Sequence, residues 1–284
     1  MREDRPSTTA ERAALLRAAH QLLDDPKVLD DPVVLRLIGP EREAALRADP
    51  ASFEKPELRR LRASIAMRSR YAEDCLGDAL RRGVRQYVIL GAGLDSFAYR
   101  NPFAAGELRV YEVDHPQTQA WKRRRLEEAG IEAPESVAFV PVDFETEKLD
   151  RALIGAGFEP SQAAFVSWLG VTVYLTREAA LGTLAYVASL GRGSEIVFGY
   201  VPALASLGER ARSVIAAMAE RARANGEPWR TFFEPDELVG ELRRLGFSDI
   251  EDFGPEQAFE RYFRGRSDGL RPGSAAHLVK ALRQ

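Results

Sequence analysis

The sequence has 284 residues, of which 45% are hydrophobic and 29% charged, with a formal net charge of −3 at pH 7. This composition is that of an ordinary globular protein, and it excludes the global positive field that attracts nucleic acid or an anionic membrane. The single cysteine, Cys75, excludes an internal disulfide and a cysteine-cluster metal site.

Neither the first residues nor the apolar runs indicate export or membrane insertion. Residues 1–6 are charged and lack the apolar core of a signal peptide. The least polar run, 163–175, is shorter than the roughly 20 residues that a membrane helix needs. We therefore expect a cytoplasmic protein that binds neither membrane nor nucleic acid.

The N-terminal region is predicted to be helical. Helices are expected over 10–23, 33–38 and 41–48, and the loop 24–32 is rich in aspartate and proline. No strand pattern appears before residue 57. We interpret residues 1–56 as a helical cap laid over a sheet, and residues 57–284 as one compact unit.

A long helix is predicted over 57–82. Apolar residues recur along it at helical spacing and form one stripe: Leu58, Leu61, Ile65, Ala72, Leu76 and Leu80. Arg68 falls inside this stripe, whereas Arg59, Arg60, Arg62 and Arg70 fall outside it. An inward-facing guanidinium needs an anionic partner, because burying an unpaired charge is costly. A local carboxylate and a bound ligand are both open as that partner.

The most informative segment is 87–96. Apolar residues at 87–90 run directly into the turn Gly91-Ala92-Gly93. An apolar run without polar alternation indicates a strand buried on both faces, as in a parallel sheet flanked by helices. Ligands of such sheets bind beyond the carboxyl ends of the strands, and glycines let the backbone approach a ligand closely. We therefore predict that this turn binds a cofactor.

Strands and helices alternate along the rest of the chain. Further strands are predicted over 109–114, 137–142, 163–168, 195–200 and 248–253, and helices over 116–129, 176–190, 204–224 and 234–245. The segment 275–282 is a helix or a strand. The run 122–125, Lys-Arg-Arg-Arg, is interpreted as a solvated helix face. The alternation predicts an α/β fold with a doubly wound, mostly parallel sheet.

Acidic residues lie at the end of the second strand and after the third. Glu112 and Asp114 close the second strand, where a carboxylate can accept both hydroxyl hydrogens of a ribose. Asp143 and Phe144 follow the third strand and would suit the amine and the ring face of a purine. A helix cap and a core phenylalanine are the alternatives for this last pair.

The turn departs from the dinucleotide fingerprint, which requires a third glycine three residues after the second. Here Leu94, Asp95 and Ser96 follow Gly93, and the Asp95 charge disfavours a pyrophosphate. S-adenosylmethionine, which carries a sulfonium, an ammonium and a carboxylate, fits better. Asp95 or backbone carbonyls would meet its ammonium group and Arg68 its carboxylate, while the acids after the second and third strands fit its ribose and adenine.

Five segments occur together in one order: Arg68-Ser69-Arg70-Tyr71-Ala72, Leu90-Gly91-Ala92-Gly93-Leu94-Asp95-Ser96, Tyr111-Glu112-Val113-Asp114-His115-Pro116, Val142-Asp143-Phe144 and Trp168-Leu169-Gly170-Val171-Thr172-Val173-Tyr174-Leu175. In these segments the chain resembles the leucine carboxyl methyltransferase family, in its bacterial branch of S-adenosylmethionine-dependent methyltransferases. The resemblance covers roughly residues 22–200 and implies a class I methyltransferase (Rossmann-like) fold. It also implies cofactor contacts at Arg68, Gly91, Asp114, Asp143 and Phe144. The eukaryotic members carry a glutamate where this chain has Leu169, so the resemblance does not imply methylation of a protein phosphatase.

The function expected from these observations is O-methylation of a carboxylate or hydroxyl of a small molecule, such as a polyketide-like phenol or another secondary metabolite. Arg70, Tyr71, Tyr174 and Tyr200 are candidates for the acceptor pocket. No Ser-His-Asp arrangement and no metal-ligand spacing is recognisable. The alternatives are an NAD(P)-dependent oxidoreductase, against which the missing glycine and Asp95 argue, and a non-catalytic protein that keeps the fold.

Overall fold

A computed structural model describes residues 7–103, 106–143, 147–275 and 277–284. The helices are α1 (Thr8–Leu23), α2 (Val33–Ile38), α3 (Pro40–Ala48), α4 (Pro56–Arg81), α5 (Pro116–Glu128), α6 (Leu149–Gly155), α7 (Arg177–Ser189), α8 (Glu209–Ala224), α9 (Pro235–Leu245) and α10 (Pro255–Tyr262). The strands are β1 (Gln86–Leu90), β2 (Arg109–Asp114), β3 (Val137–Pro141), β4 (Ala164–Trp168), β5 (Glu195–Tyr200), β6 (Phe247–Phe253) and β7 (His277–Arg283). Short 3₁₀ turns lie at Pro50–Phe53, Phe97–Tyr99, Thr172–Tyr174 and Leu204–Ser206.

The strands form one seven-stranded sheet in the order β3-β2-β1-β4-β5-β7-β6. The first five strands of this order are parallel, and β7 runs antiparallel to both of its neighbours. The carboxyl ends of β1, β2 and β4 therefore lie at one edge, and the strand order reverses between β1 and β4. This edge is where an open α/β sheet binds its ligand. The α/β prediction is confirmed, and the last element, for which a helix and a strand were both open, is the strand β7.

Both faces of the sheet are buried, as the apolar run at 87–90 predicts. Tyr87 and Ile89 belong to the core shared with α4, whereas Val88 and Leu90 belong to the core shared with α7 and α9. Each of the four side chains is at most 4% exposed. The glycine-rich turn thus starts from a strand that packing holds on both sides.

The N-terminal helices form a third apolar cluster, which includes Leu94 of the glycine-rich turn together with Ala14 and Ala18 of α1. The cap therefore packs directly on the predicted cofactor turn. This packing also corrects one prediction. Arg62, expected outside the buried stripe of α4, is 0% exposed because the cap covers that side of the helix. Its Nε lies 2.7 Å from Asp24 Oδ2 and its Nη2 2.9 Å from Glu54 Oε1.

Two helices were not predicted from the sequence. They are α6, of seven residues, and α10, of eight residues. Among the described residues, no helix combines the length and the low polarity that crossing a bilayer requires. The division at residue 56 and the cytoplasmic location stay predictions.

Candidate cofactor site

The glycine-rich turn passes over the carboxyl end of β2. The backbone N–H groups of Gly91 and Ala92 both donate to the Val113 carbonyl oxygen, at 2.8 and 3.0 Å. The Gly93 N–H donates to Asp114 Oδ2 at 2.5 Å. These bonds hold the turn and the Asp114 carboxylate as one rigid unit.

Glycine is required at both positions of the turn. Gly91 and Gly93 have φ angles of +67° and +47°, a backbone conformation that residues with a Cβ rarely adopt. A Cβ on Gly91 would lie 2.4 Å from Val171 Cγ2, and one on Gly93 would lie 2.9 Å from Ala10 Cβ. The turn is therefore closely covered by the loop after β4 and by the first turn of α1.

Arg68 points from α4 to the same edge of the sheet, as its place in the apolar stripe predicts. A Cβ on Gly170, just beyond β4, would lie 2.6 Å from Arg68 Nη1, so the guanidinium lies flat against this glycine. Burial, aided by the neighbouring positive charge of Arg17, lowers the pKa of Arg68 to about 10, while Tyr174 and Asp95 act in the opposite direction. The ion pairs within the described residues do not include Arg68, so the local-carboxylate alternative is not supported.

Asp95 lies in the turn itself. Its Oδ1 accepts a hydrogen bond from the Phe97 N–H at 2.8 Å, and its own N–H donates to the Ala92 carbonyl at 2.7 Å. One carboxylate oxygen is thus fixed by the backbone, and the charge stands within electrostatic reach of Arg68. Arg68 can therefore bind a carboxylate and Asp95 an ammonium group on either side of the turn. These are the two charged groups of an amino-acid moiety.

Asp114 and Glu112 differ in what they can bind. Asp114 accepts the Gly93 N–H through Oδ2 and the His115 N–H through Oδ1 at 2.7 Å. Burial raises the pKa of Asp114, and these two hydrogen bonds oppose that rise. A carboxylate can accept about four hydrogen bonds, so two acceptor positions remain for a diol.

Glu112 is used inside the protein. It is 1% exposed, and its Oε2 lies 2.7 Å from Lys122 Nζ and accepts the Tyr99 hydroxyl at 3.1 Å. Of the two acids predicted for the ribose, the geometry therefore favours Asp114. Lys122 itself is 1% exposed, so the prediction of a solvated Lys-Arg-Arg-Arg face is wrong at this residue. The helix α5 turns Lys122 toward the buried carboxylate of β2.

Asp143 follows β3 at the same edge of the sheet, and its N–H donates to Glu147 Oε2 at 2.9 Å. Phe144, predicted to face the adenine, lies outside the described residues. The assignment of this pair to a purine stays a prediction.

The four acceptor-pocket candidates separate into two groups. Tyr174 lies beside the site: its hydroxyl is 3.3 Å from Thr9 Oγ1 of α1, and it belongs to the electrostatic surroundings of Arg68. Tyr200 closes β5 at the same edge, with its hydroxyl donating to Asp252 Oδ2 at 2.9 Å. The structure does not bring Arg70 and Tyr71 to this place.

Arg70 and Tyr71 serve packing and surface pairing. Arg70 is exposed and donates to Asp74 Oδ1 at 2.8 Å. Tyr71 is 0% exposed and stacks on Phe253 at 4.2 Å between ring centroids. Burial raises the pKa of Tyr71. Tyr71 is therefore part of the core between α4 and β6.

Sequence reasoning missed two groups at this edge. Arg17 of α1 donates to the Leu94 carbonyl at 2.5 Å, and His277 Nδ1 lies 2.9 Å from Asp252 Oδ1. Both depend on long-range folding. Arg17 reaches its partner across 77 residues, and the His277–Asp252 pair requires that β7 and β6 be antiparallel neighbours.

The profile of the leucine carboxyl methyltransferase family matches residues 10–188. The chain belongs to this family. A Bacillus subtilis relative named "Putative S-adenosyl-L-methionine-dependent methyltransferase YktD" is 31% identical over 305 residues, with 100% of both chains covered. A Mycobacterium avium relative named "Putative S-adenosyl-L-methionine-dependent methyltransferase" is 34% identical over 221 residues, which cover 74% of this chain and 70% of the relative.

Two solved structures show the same fold. A Thermobifida fusca protein described as "a putative methyltransferase" has a TM-score of 0.59 at 19% identity. The match covers 100% of this chain and 97% of the Thermobifida chain. A DUF574 family protein from Streptomyces avermitilis also has a TM-score of 0.59, at 16% identity, with 96% and 97% covered. The fold is that of class I methyltransferases, and the cofactor of this methyltransferase is S-adenosylmethionine. Family membership argues against the oxidoreductase alternative.

Proposed function

We propose that this methyltransferase transfers a methyl group to an oxygen of a small molecule, either a carboxylate or a hydroxyl, with polyketide-like phenols and other secondary metabolites as the acceptor class. The observation that carries the cofactor side of the proposal is Arg68. Its guanidinium is held against Gly170 at the ligand-binding edge of the sheet, and it forms no ion pair among the described residues. A cation in this setting is suited to receive the carboxylate of a bound ligand.

In the proposed map, Arg68 holds the carboxylate of S-adenosylmethionine and Asp95 its ammonium group. Asp114 accepts from the ribose hydroxyls, and Asp143 with Phe144 faces the adenine. The glycines at 91 and 93, with Ala92 between them, let the backbone lie against the ligand. The bound cofactor supplies an electrophilic methyl group on a sulfonium, and the protein aligns this group with the acceptor and excludes water.

We place the acceptor next to the apolar and aromatic side chains that lie beyond the ends of β4 and β5. Val173, Val201 and Ile215 form a buried cluster there, against which Tyr174, Met218, Trp229 and Phe232 pack. The helix α8 covers this cluster. Apolar walls with a few polar groups are typical of pockets for small organic ligands, which supports an aromatic or otherwise apolar acceptor.

The acceptor group decides whether a base is needed. A carboxylate is already ionised at neutral pH, whereas a phenol has a pKa near 10 and gains from a general base. His277 and Asp252 form a hydrogen-bonded pair where β7 begins and β6 ends, and Tyr200 donates to the other oxygen of Asp252. This pair is a candidate base for a hydroxyl acceptor.

The proposal is tested by a methyl-transfer assay with radiolabelled S-adenosylmethionine on matched panels of aromatic carboxylic acids and phenols. We expect label in ester or ether products of at least one panel. His277→Asn should lower turnover on phenols by about 10²-fold or more and leave carboxylate methylation unchanged. Transfer to nitrogen or carbon acceptors only would overturn O-methylation.

A further inference from the structure

We infer that the N-terminal cap completes the cofactor site, with Arg17 and Asp31 as positioning residues that fix the turn 91–96 from behind. This inference rests on the proposed cofactor map. It concerns two cap residues that do not belong to that map.

Arg17 holds one peptide group of the turn. It lies on α1, is 6% exposed, and its Nη2 donates to the Leu94 carbonyl oxygen at 2.5 Å. The N–H of the same peptide group, on Asp95, donates to the Ala92 carbonyl at 2.7 Å. The peptide is therefore fixed on both sides, and its orientation sets where the Asp95 side chain begins.

Asp31 holds the other end of the turn. It is 0% exposed, and its Oδ2 accepts the Ser96 hydroxyl at 2.6 Å and lies 3.2 Å from Arg17 Nε. Its Oδ1 lies 3.3 Å from Arg100 Nε. One carboxylate of the cap thus orients Arg17 toward Leu94 and anchors Ser96 at the same time.

The cap also contributes charge to the site. Arg17 lies close enough to Arg68 for its positive charge to lower the pKa of Arg68, after the larger effect of burial. Arg17 therefore adds to the positive field around Arg68 from behind the turn, where its guanidinium is held by Leu94 and Asp31. Loss of Arg17 would release the Leu94 peptide and weaken the positive field in one step.

The same cap contains a matched control. Asp24 is 5% exposed and accepts from Arg62 at 2.7 and 2.8 Å and from His20 Nδ1 at 2.7 Å. These partners lie on α1 and α4, not on the turn 91–96. Asp24→Asn therefore disrupts a buried cap ion pair of the same kind and burial as Asp31→Asn, but leaves the anchors of the turn in place.

The test compares Asp31→Asn, Arg17→Met and Asp24→Asn by calorimetric titration with S-adenosylhomocysteine, at a temperature where circular dichroism shows each variant folded. We expect Kd to rise tenfold or more for Asp31→Asn and Arg17→Met, and to change less than twofold for Asp24→Asn. Wild-type affinity in Asp31→Asn and Arg17→Met would overturn the inference, as would an equal loss in all three variants.

The titrations of Ser96→Ala and of the wild-type protein distinguish a failure of the inference from a failure of the proposed cofactor map. Ser96→Ala removes one anchor without leaving a buried charge unpaired, so it serves if Asp31→Asn does not fold, and we expect its Kd to rise about threefold or more. An unchanged Kd in Ser96→Ala and Arg17→Met would then overturn the inference. Failure of the wild-type protein to bind S-adenosylhomocysteine would instead contradict the proposed map.

Discussion

Replacing Gly91 by alanine tests whether the cofactor turn is held by close packing. The new Cβ would meet Val171 Cγ2 at 2.4 Å, and the residue would keep a φ of +67°. A left-handed conformation costs a residue with a Cβ about 1–2 kcal/mol, and overpacking adds about 1–3 kcal/mol. We therefore expect Gly91→Ala to lower the free energy of unfolding by about 2–5 kcal/mol.

Gly83 supplies the control for the backbone part of this cost. Its φ is +93°, and a Cβ there would meet nothing within 4 Å. Gly83→Ala should therefore cost only about 1–2 kcal/mol. The steric part is isolated by a double-mutant cycle of Gly91→Ala with Val171→Ala, which removes the clashing methyl group.

The assay is urea unfolding followed by tryptophan fluorescence for the four proteins of the cycle and for Gly83→Ala. We expect a favourable coupling energy of about 1–3 kcal/mol between Gly91→Ala and Val171→Ala. Additive effects, or a cost for Gly91→Ala no larger than that for Gly83→Ala, would refute the close approach of Val171 to the turn.

Three further predictions concern buried ionisable groups. Cys75 is 4% exposed, and burial raises its pKa to about 12. The native thiol should therefore react with a disulfide reagent at pH 8 at least about 10²-fold more slowly than the thiol of the unfolded chain. Equal rates would contradict this prediction. Lys122→Met should lower the free energy of unfolding by about 3–5 kcal/mol, because it leaves Glu112 without its ion-pair partner. Adding Glu112→Gln should restore part of this loss. Replacement of the exposed Arg124 by Met should leave the free energy of unfolding unchanged in the same assay. For Asp24, burial alone would raise the pKa, but hydrogen bonds from His20 and Arg62 outweigh it and lower the pKa below its ordinary 3.8. Its stabilisation is therefore present above pH 3.8 and lost as the pH falls through the lower folded-state pKa, so the stability gap between wild type and Asp24→Asn should shrink in acid, and a gap that widens there would be inconsistent with this pairing.

Local patterns predicted the elements that build the site. The apolar run at 87–90 indicated a strand buried on both faces, and the helical period of α4 indicated that Arg68 points inward. The acids at the end of β2 and after β3 could be placed because the carboxyl ends of parallel strands share one edge. These features depend on neighbours in the sequence, which is why the sequence alone reveals them.

The sequence did not reveal which charged residues are buried. Arginine and lysine are usually surface residues. The burial of Arg62 and Arg17 depends on partners far away in the chain, Asp24 and Leu94, and that of Lys122 depends on how α5 packs on Glu112 of β2. Tyr71, predicted for the acceptor pocket, is in the core because β6 brings Phe253 onto α4. Contacts of this kind follow from tertiary packing and leave no periodic signal.

The central claim is that Arg68 binds the carboxylate of the cofactor and Asp114 binds its ribose hydroxyls. Calorimetric titration of the wild type, Arg68→Met and Asp114→Asn with S-adenosylmethionine and S-adenosylhomocysteine tests it most directly, with Arg70→Met as the control on the same helix. We predict micromolar binding by the wild type and the control, and a loss of tenfold or more, about 1.4 kcal/mol, in each of the other two variants. Unchanged affinity in Arg68→Met and Asp114→Asn would contradict the cofactor map.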